Sequence, residues 1–296
     1  MDRLRVDSFE LRTVSIADVH PDKLHALSMT VGWRYHANEW CFLRQCGHGI
    51  AALDEIDRVV ATAMVFPFSD GFATLGMVIV SPRLQGQGVA PWLVRQLICD
   101  FPGATFRLNA TGVARRVFQS LGFAGEAEEV HLYRGKVRPM AEPTAFPRKK
   151  RIERLSAADV PAVIDADCDA FGVSRADVMR HLLARNVGYG LFEGARLKAF
   201  AIRRAAGRGH IVGPVVAENT EDAVAVVRRH LADLPDQSVR LDTPCDEGPF
   251  TDFLVQSGLA VFETLTTMAG PAPVTGRYAD RSGQVRTFAL VGPSLG

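Results

Sequence analysis

The segment GMVIVSPRLQGQGVAPWLVRQL, Gly76 to Leu97, constrains this chain more than any other. A β-branched run, Val78-Ile79-Val80, leads through Ser81-Pro82 into the loop Gln85-Gly86-Gln87-Gly88-Val89-Ala90. Trp92, Leu93, Val94 and Leu97 then recur at helical spacing, so the segment reads as strand, loop, helix. Gly86 and Gly88 let the backbone come close to a ligand. The N–H groups of the first helical turn have no partners within the helix and sit at the positive end of its dipole. The expected guest is a phosphate.

The readings as two common phosphate loops both weaken on the residues present. There is no Gly-x-x-x-x-Gly-Lys-Ser/Thr, and Pro91 stands where Gly-x-Gly-x-x-Gly needs its third glycine. What remains, Gln85-x-x-Gly88-x-Ala90, resembles the Arg/Gln-x-x-Gly-x-Gly/Ala signature of the GNAT acyltransferases, whose loop grips the pyrophosphate of coenzyme A. Val80-Ser81-Pro82-Arg83 resembles that family's approach to the loop, and Ser120-Leu121-Gly122-Phe123 resembles its Leu-Gly-Phe end. The competing reading is a tight strand-to-helix turn that holds no ligand.

At 296 residues the chain is long enough for two domains, each with its own core. A net charge of +1 gives no case for nucleic acid or an anionic membrane as partner. The start, MDRLRVDSFE, has no signal-peptide core, and no stretch approaches the roughly 18 apolar residues of a spanning helix. Five scattered cysteines suit free thiols, so a cytoplasmic location is expected. Cys41, Cys46 and His48 lack a fourth ligand at sensible spacing, and no metal is expected.

In chain order, 8–14 reads as a strand and Ser15 starts a helix running to about Met29. Asn38 caps a second helix, and strands follow at 49–53, 58–66 and the central stretch. After the loop helix come a strand at 104–108, a helix at 114–121 and a strand at 129–133. Pro139, Pro143 and Pro147, followed by Arg148-Lys149-Lys150-Arg151, mark a linker. Three segments are expected: a catalytic domain at 1–135, a linker at 136–150 and a second domain at 151–296.

Past the linker the pattern starts again. Ser15-Ile16-Ala17-Asp18-Val19 is echoed by Ser156-Ala157-Ala158-Asp159-Val160, and Gln119-Ser120 by Gln256-Ser257. Helices at 157–170 and 174–184, strands at 188–193, 197–203 and 210–216, a helix at 220–233, a strand at 238–242, a helix at 248–257 and a strand at 260–268 repeat the first half's order. The counterpart of the glycine loop is Ala217-Glu218-Asn219-Thr220-Glu221-Asp222, with three carboxylates at the helix start. These suit a helix dipole in water but repel a pyrophosphate, so only the first half is expected to bind coenzyme A. Ala170-Phe171-Gly172-Val173-Ser174-Arg175, Gly213-Pro214-Val215-Val216-Ala217 and Leu241-Asp242-Thr243-Pro244 resemble the C-terminal domain of YitH-like acetyltransferases, and Leu108-Asn109-Ala110-Thr111 resembles part of their catalytic domain. The implied fold class is α/β: two tandem GNAT-fold domains, each a mixed central sheet flanked by helices.

The resemblance implies direct attack of an amine on the thioester of acetyl-CoA, the only cofactor expected, within one ternary complex. The backbone of Leu84, Gln85, Gly86, Gln87, Gly88, Val89 and Ala90 would hold the pyrophosphate, with Arg83 as an outer charge. Val78 and Val80 would flank the pantetheine, and a backbone N–H there would polarise the carbonyl. Thr111 stands where the family often has an asparagine on the cofactor. Phe118 stands where it often has a tyrosine that protonates the leaving thiolate, and phenylalanine has no proton to give. Glu39 and His36 are the candidate bases, or else an ordinary solvated helix face. Trp33 is either acceptor-pocket wall or core. Asp169, Arg175 and Asp246 read as groups bordering a cleft between the domains or as surface ion pairs; His131 and His210 read as satisfied strand histidines.

The reading is an acetyltransferase acting on a primary amine of a small molecule, with no nucleic-acid or membrane partner and a homodimer allowed. Because of Phe118, an acyl-CoA-binding regulatory protein with little turnover stays open, as does an O-acyltransferase.

Overall fold

The β-branched and apolar runs of the first half pair into a sheet whose most buried members are its middle strands. The computed structural model describes residues 3–6, 9–33, 35–140, 150–271 and 285–296. The described residues up to Gly125, joined by residues 268–271 and Leu295, make one compact unit; those from Glu126 to Thr267, from Val285 to Ser294, and Gly296 make a second.

In the first unit, β1 (Arg3–Val6), β2 (Phe9–Ser15), β3 (His48–Leu53), β4 (Val59–Pro67), β5 (Phe72–Val80) and β6 (Thr105–Ala110) lie in that order across the sheet. All neighbours are antiparallel except β5 and β6, which are parallel. Four helices accompany them: α1 (Pro21–Thr30), α2 (Ala37–Cys46), α3 (Val89–Cys99) and α4 (Gly112–Ser120). The helix expected from Ser15 is split. Ile16–Asp18 is a single 3-10 turn capped by Ser15, and Pro21 begins α1 behind an extended His20, because proline suits the first helical position and its ring cannot follow a helical predecessor. Leu93, Val94 and Leu97 of α3 pack with Val65, Leu75 and Phe106 in one apolar core.

The second unit contains β7 (Ala124–Lys136, from Glu126 on), β8 (Lys150–Arg154), α5 (Val160–Phe171), α6 (Ala176–Arg185), β9 (Val187–Glu193), β10 (Arg196–Ala206), β11 (Gly209–Ala217), α7 (Thr220–Ala232), β12 (Ser238–Thr243), α8 (Pro249–Gln256), β13 (Leu259–Gly270, up to Thr267) and β14 (Arg286–Ala289). Its sheet runs β13-β7-β12-β11-β10-β9-β8, with β14 on β11, and β11 is parallel to β12. From β8 to β13 the elements repeat the order from β2 to β7, so the duplication expected from the sequence is a duplication of fold. Within the expected linker, residues 141–149 lie outside the described residues. On either side the chain is tied down: the Val137 N–H donates to Gln237 O (3.0 Å), and Lys150 opens β8 with its Nζ 2.6 Å from Asp222 Oδ1.

Among the described residues, no helix is long and apolar enough to cross a membrane. His230 on α7 is fully buried, with Nε2 3.0 Å from Ala201 O and its ring against Tyr189. Burial, with the backbone bond to Ala201 opposing it, brings its pKa down to about 4. The folded ring therefore binds a proton less readily than the unfolded one. The stability it contributes is complete above pH 6.5 and is lost as pH falls towards 4, about 3 kcal/mol at roughly 1.36 kcal/mol per pKa unit. The ring is expected to stay neutral at pH 5 by 15N NMR; a midpoint near 6.5 would contradict this.

Candidate active site

The geometry of the first unit converges where β5 ends. Pairing of β5 with β6 covers only Phe72↔Thr105, Ala73↔Phe106 and Thr74↔Arg107. From Leu75 to Val80 the β6-side edge of β5 has no partner residue in β6. On the other edge, Met64 pairs with Gly76 and Thr62 with Ile79, so Met77 and Val78 together face Ala63 in a β-bulge. Met77 adopts φ +52°, a left-handed conformation uncommon for a residue with a side chain. The buried Thr62 fixes it: its Oγ1 donates to the Met77 carbonyl (2.8 Å). Val78 is half-buried beside this bulge, and Val80 is buried.

Beyond β5, Pro82–Leu84 forms a 3-10 turn whose last N–H, that of Leu84, donates to Ser81 O (2.8 Å). Leu84 therefore stands apart from the loop it precedes. Among the described residues, none of the N–H groups from Gln85 to Ala90 donates to a backbone carbonyl with hydrogen-bond geometry. Gly86 (φ +78°) and Gly88 (φ +80°) are both left-handed, and a Cβ added at either would meet nothing within 4 Å. Glycine is required by the backbone here, not by crowding. The glutamine side chains turn back onto the chain: Gln85 Nε2 donates to Val80 O and Gln87 Nε2 to Arg83 O, each 3.1 Å. Pro91 lies in the first turn of α3, where its missing N–H costs the helix nothing. Arg83 is exposed beside the loop.

Thr111 caps α4, its Oγ1 accepting from the Ala114 N–H (3.4 Å). Phe118 is buried, edge-on to Phe123 with ring centroids 5.7 Å apart. Glu39 and His36 meet at the start of α2: Glu39 Oε2 accepts from the His36 N–H (3.0 Å). The exposed His36 ring stacks on His25 at 4.9 Å, and the half-buried Trp33 ring is 6.1 Å from Tyr35. Thr62 and Met77 were missed by sequence reasoning; the available signal was a lone hydroxyl inside the apolar run of β4.

In the second unit, Asp222 is not solvated as its position at a helix start suggests. It is buried, capped by Asn219 and neutralised by Lys150. Arg175 is likewise no surface group: it lies fully buried against Asp167. His131 and His210 are satisfied by Thr264 Oγ1 (3.1 Å) and Gln237 Oε1 (2.8 Å). Among the described residues, no group of three His, Cys, Asp or Glu side chains could hold a metal ion.

Residues 16–123 match the model of the acetyltransferase (GNAT) family, and residues 163–278 match that of an acetyltransferase (GNAT) domain. The chain carries two GNAT acetyltransferase domains in tandem. Solved structures share the fold at low identity. A candidate acetyltransferase from Pyrococcus horikoshii is 14% identical with a TM-score of 0.74, over 100% of this chain and 99% of that one. A GCN5-related N-acetyltransferase from Sphaerobacter thermophilus is 14% identical with a TM-score of 0.63, over 89% and 97%. A tandem GNAT protein from the clavulanic acid biosynthesis pathway is 15% identical with a TM-score of 0.66, over 89% and 100%. No curated protein matches the sequence. These two domains support acyl transfer in general, and the loop from Gln85 to Ala90 lies inside the first of them.

Proposed function

We propose that the first GNAT domain moves an acetyl group from acetyl-CoA to the primary amine of a small molecule by direct attack in a ternary complex. The observation that carries this reading is the run from Gln85 to Ala90, whose N–H groups reach no backbone carbonyl with hydrogen-bond geometry among the described residues and which two left-handed glycines shape at the start of α3. Such an array, with the positive end of the helix dipole behind it, suits a pyrophosphate. The edge of β5 that no strand covers beyond Thr74 among the described residues suits an extended pantetheine, flanked by Val78 and Val80. The Val78 N–H beside the bulge is the natural donor to the thioester oxygen, where developing negative charge gains most from a fixed dipole.

Glu39 and His36 take the part of base for the attacking ammonium, with Trp33 beside the acceptor. Glu39 Oε2 accepts from the His36 N–H, which orients the carboxylate at the start of α2 for this role. Phe118, buried against Phe123, offers no proton, so water protonates the departing thiolate, a leaving group of pKa about 8.5 on the cysteine scale.

The same phenylalanine favours a second reading, an acyl-CoA-binding regulatory protein with little turnover. Release of free thiol from acetyl-CoA across a panel of amino acids, amino sugars and polyamines separates them. The enzyme reading expects thiol with at least one amine. Tight acetyl-CoA binding with no thiol from any amine would favour the regulatory reading, and turnover with hydroxyl acceptors alone would make the chain an O-acyltransferase.

A further inference from the structure

The bulge of the first domain recurs in the second, with a changed outcome. Arg203 pairs with Val212 and Ala201 with Val215, so Gly213-Pro214 faces Ile202 just as Met77-Val78 faces Ala63. Pro214, at the place of Val78, has no N–H to donate. The strand-to-helix junction has changed as well. Glu218 is bound by Arg196 (2.8 Å) and by Lys198, and the start of α7 is served by Asn219 and the buried Asp222.

The largest difference lies between the parallel strands. β11 and β12 pair only at His210↔Val239 and Ile211↔Arg240. Beyond that point β14 runs between them. It is antiparallel to β11 at Val215↔Ala289, Val216↔Thr287 and Ala217↔Arg286. On its other side Thr243 Oγ1 donates to Phe288 O (2.6 Å), and the Leu290 N–H donates to Asp242 O (2.8 Å). The Phe288 ring is fully buried, 5.2 Å from that of Phe250 on α8. In the first domain no strand pairs with the corresponding edge of β5 beyond Thr74 among the described residues.

We propose that β14 is a covalently attached stand-in for an acyl donor. The amides of a pantetheine arm can bond to an open strand edge. In the second domain Arg286–Ala289 supplies such amides from the chain itself and adds a phenyl ring to the core. The second domain is thereby held closed without a ligand, and its wedge is a strand-binding groove whose resident occupant is β14.

Amide hydrogen exchange on the full chain tests this. Phe288→Ala should speed exchange at Val215–Ala217 and at Leu290, whose N–H bonds to Asp242 O, at least tenfold, and leave Gly76–Val80 within twofold. In the wild type, saturating acetyl-CoA should leave Val215–Ala217 within twofold. Unchanged exchange at Val215–Ala217 in the variant would overturn the proposal, as would protection of those residues by acetyl-CoA in the wild type. Failure of acetyl-CoA to slow exchange over Gly76–Ala90 would count against the proposed function of the first domain and leave the β14 result standing on its own.

Discussion

Gly88→Glu abolishes acetyl-CoA binding while the chain remains folded. Gly88 sits at φ +80° with open space where a Cβ would stand, so the substitution meets no steric barrier in the protein itself. Forcing a side-chain-bearing residue into the left-handed region costs roughly 1–2 kcal/mol, within the margin of an ordinary domain. The ligand meets a larger penalty. A carboxylate about 4 Å from a phosphate charge at an effective dielectric near 20 is repelled by about 4 kcal/mol, a loss of about three decades in affinity at roughly 1.4 kcal/mol per decade. Calorimetry with acetyl-CoA, paired with far-UV circular dichroism, reads both quantities. Undiminished binding by a folded Gly88→Glu chain would remove the loop from the site.

Arg175→Met has the largest expected effect on stability. The Arg175 and Asp167 side chains are fully buried and joined by two bonds, Nε to Oδ2 at 2.8 Å and Nη2 to Oδ1 at 2.9 Å. The guanidinium also lies over the Phe171 ring at 3.9 Å, and Nη1 donates to Gly296 O at 2.5 Å. Removing the cation leaves the Asp167 carboxylate in the interior without its partner, at a cost of about 3–5 kcal/mol. Replacing both members, Asp167→Leu with Arg175→Met, is expected to recover most of that loss, because the desolvation penalty goes with the charges. Urea unfolding of the two single variants and the double gives the coupling directly. A loss below about 1 kcal/mol for Arg175→Met would show that the pair is not needed by the second unit.

What the sequence made legible follows from how local the causes are. Gly86 and Gly88 could be read because a left-handed turn at a helix start is a demand of the adjacent backbone, and glycine answers it at the position itself. The duplication could be read because strands and helices declare themselves by periodicity over their own lengths. Lys150 could not be placed correctly: inside a basic run it looks like linker, and its partner Asp222 lies 72 positions away. β14 was invisible for a related reason. Arg286–Ala289 is four residues long, and only its two neighbouring strands make it a strand.

The candidate site was legible in part for the same reasons. The Met77 bulge was hidden because a left-handed conformation at a methionine has no residue signature and depends on Thr62 in the next strand. Glu39 and His36 drew attention by residue type alone. Their spacing of three also fits a helix cap, and the structure shows Glu39 accepting from the His36 backbone. The lack of a hydroxyl at Phe118 is plain from residue type, but its burial against Phe123 is not visible from position.

In the proposed complex the backbone N–H groups of Gln85 to Ala90 meet the pyrophosphate of acetyl-CoA. Amide 1H–15N shifts of the full chain titrated with acetyl-CoA address this atom by atom. The expected result is that Gly86, Gln87 and Gly88 are among the most strongly displaced resonances, moving to lower field as their N–H groups gain anionic acceptors, while Val215–Ala217 stay in place. Saturable binding that leaves Gly86 and Gly88 unmoved would contradict it.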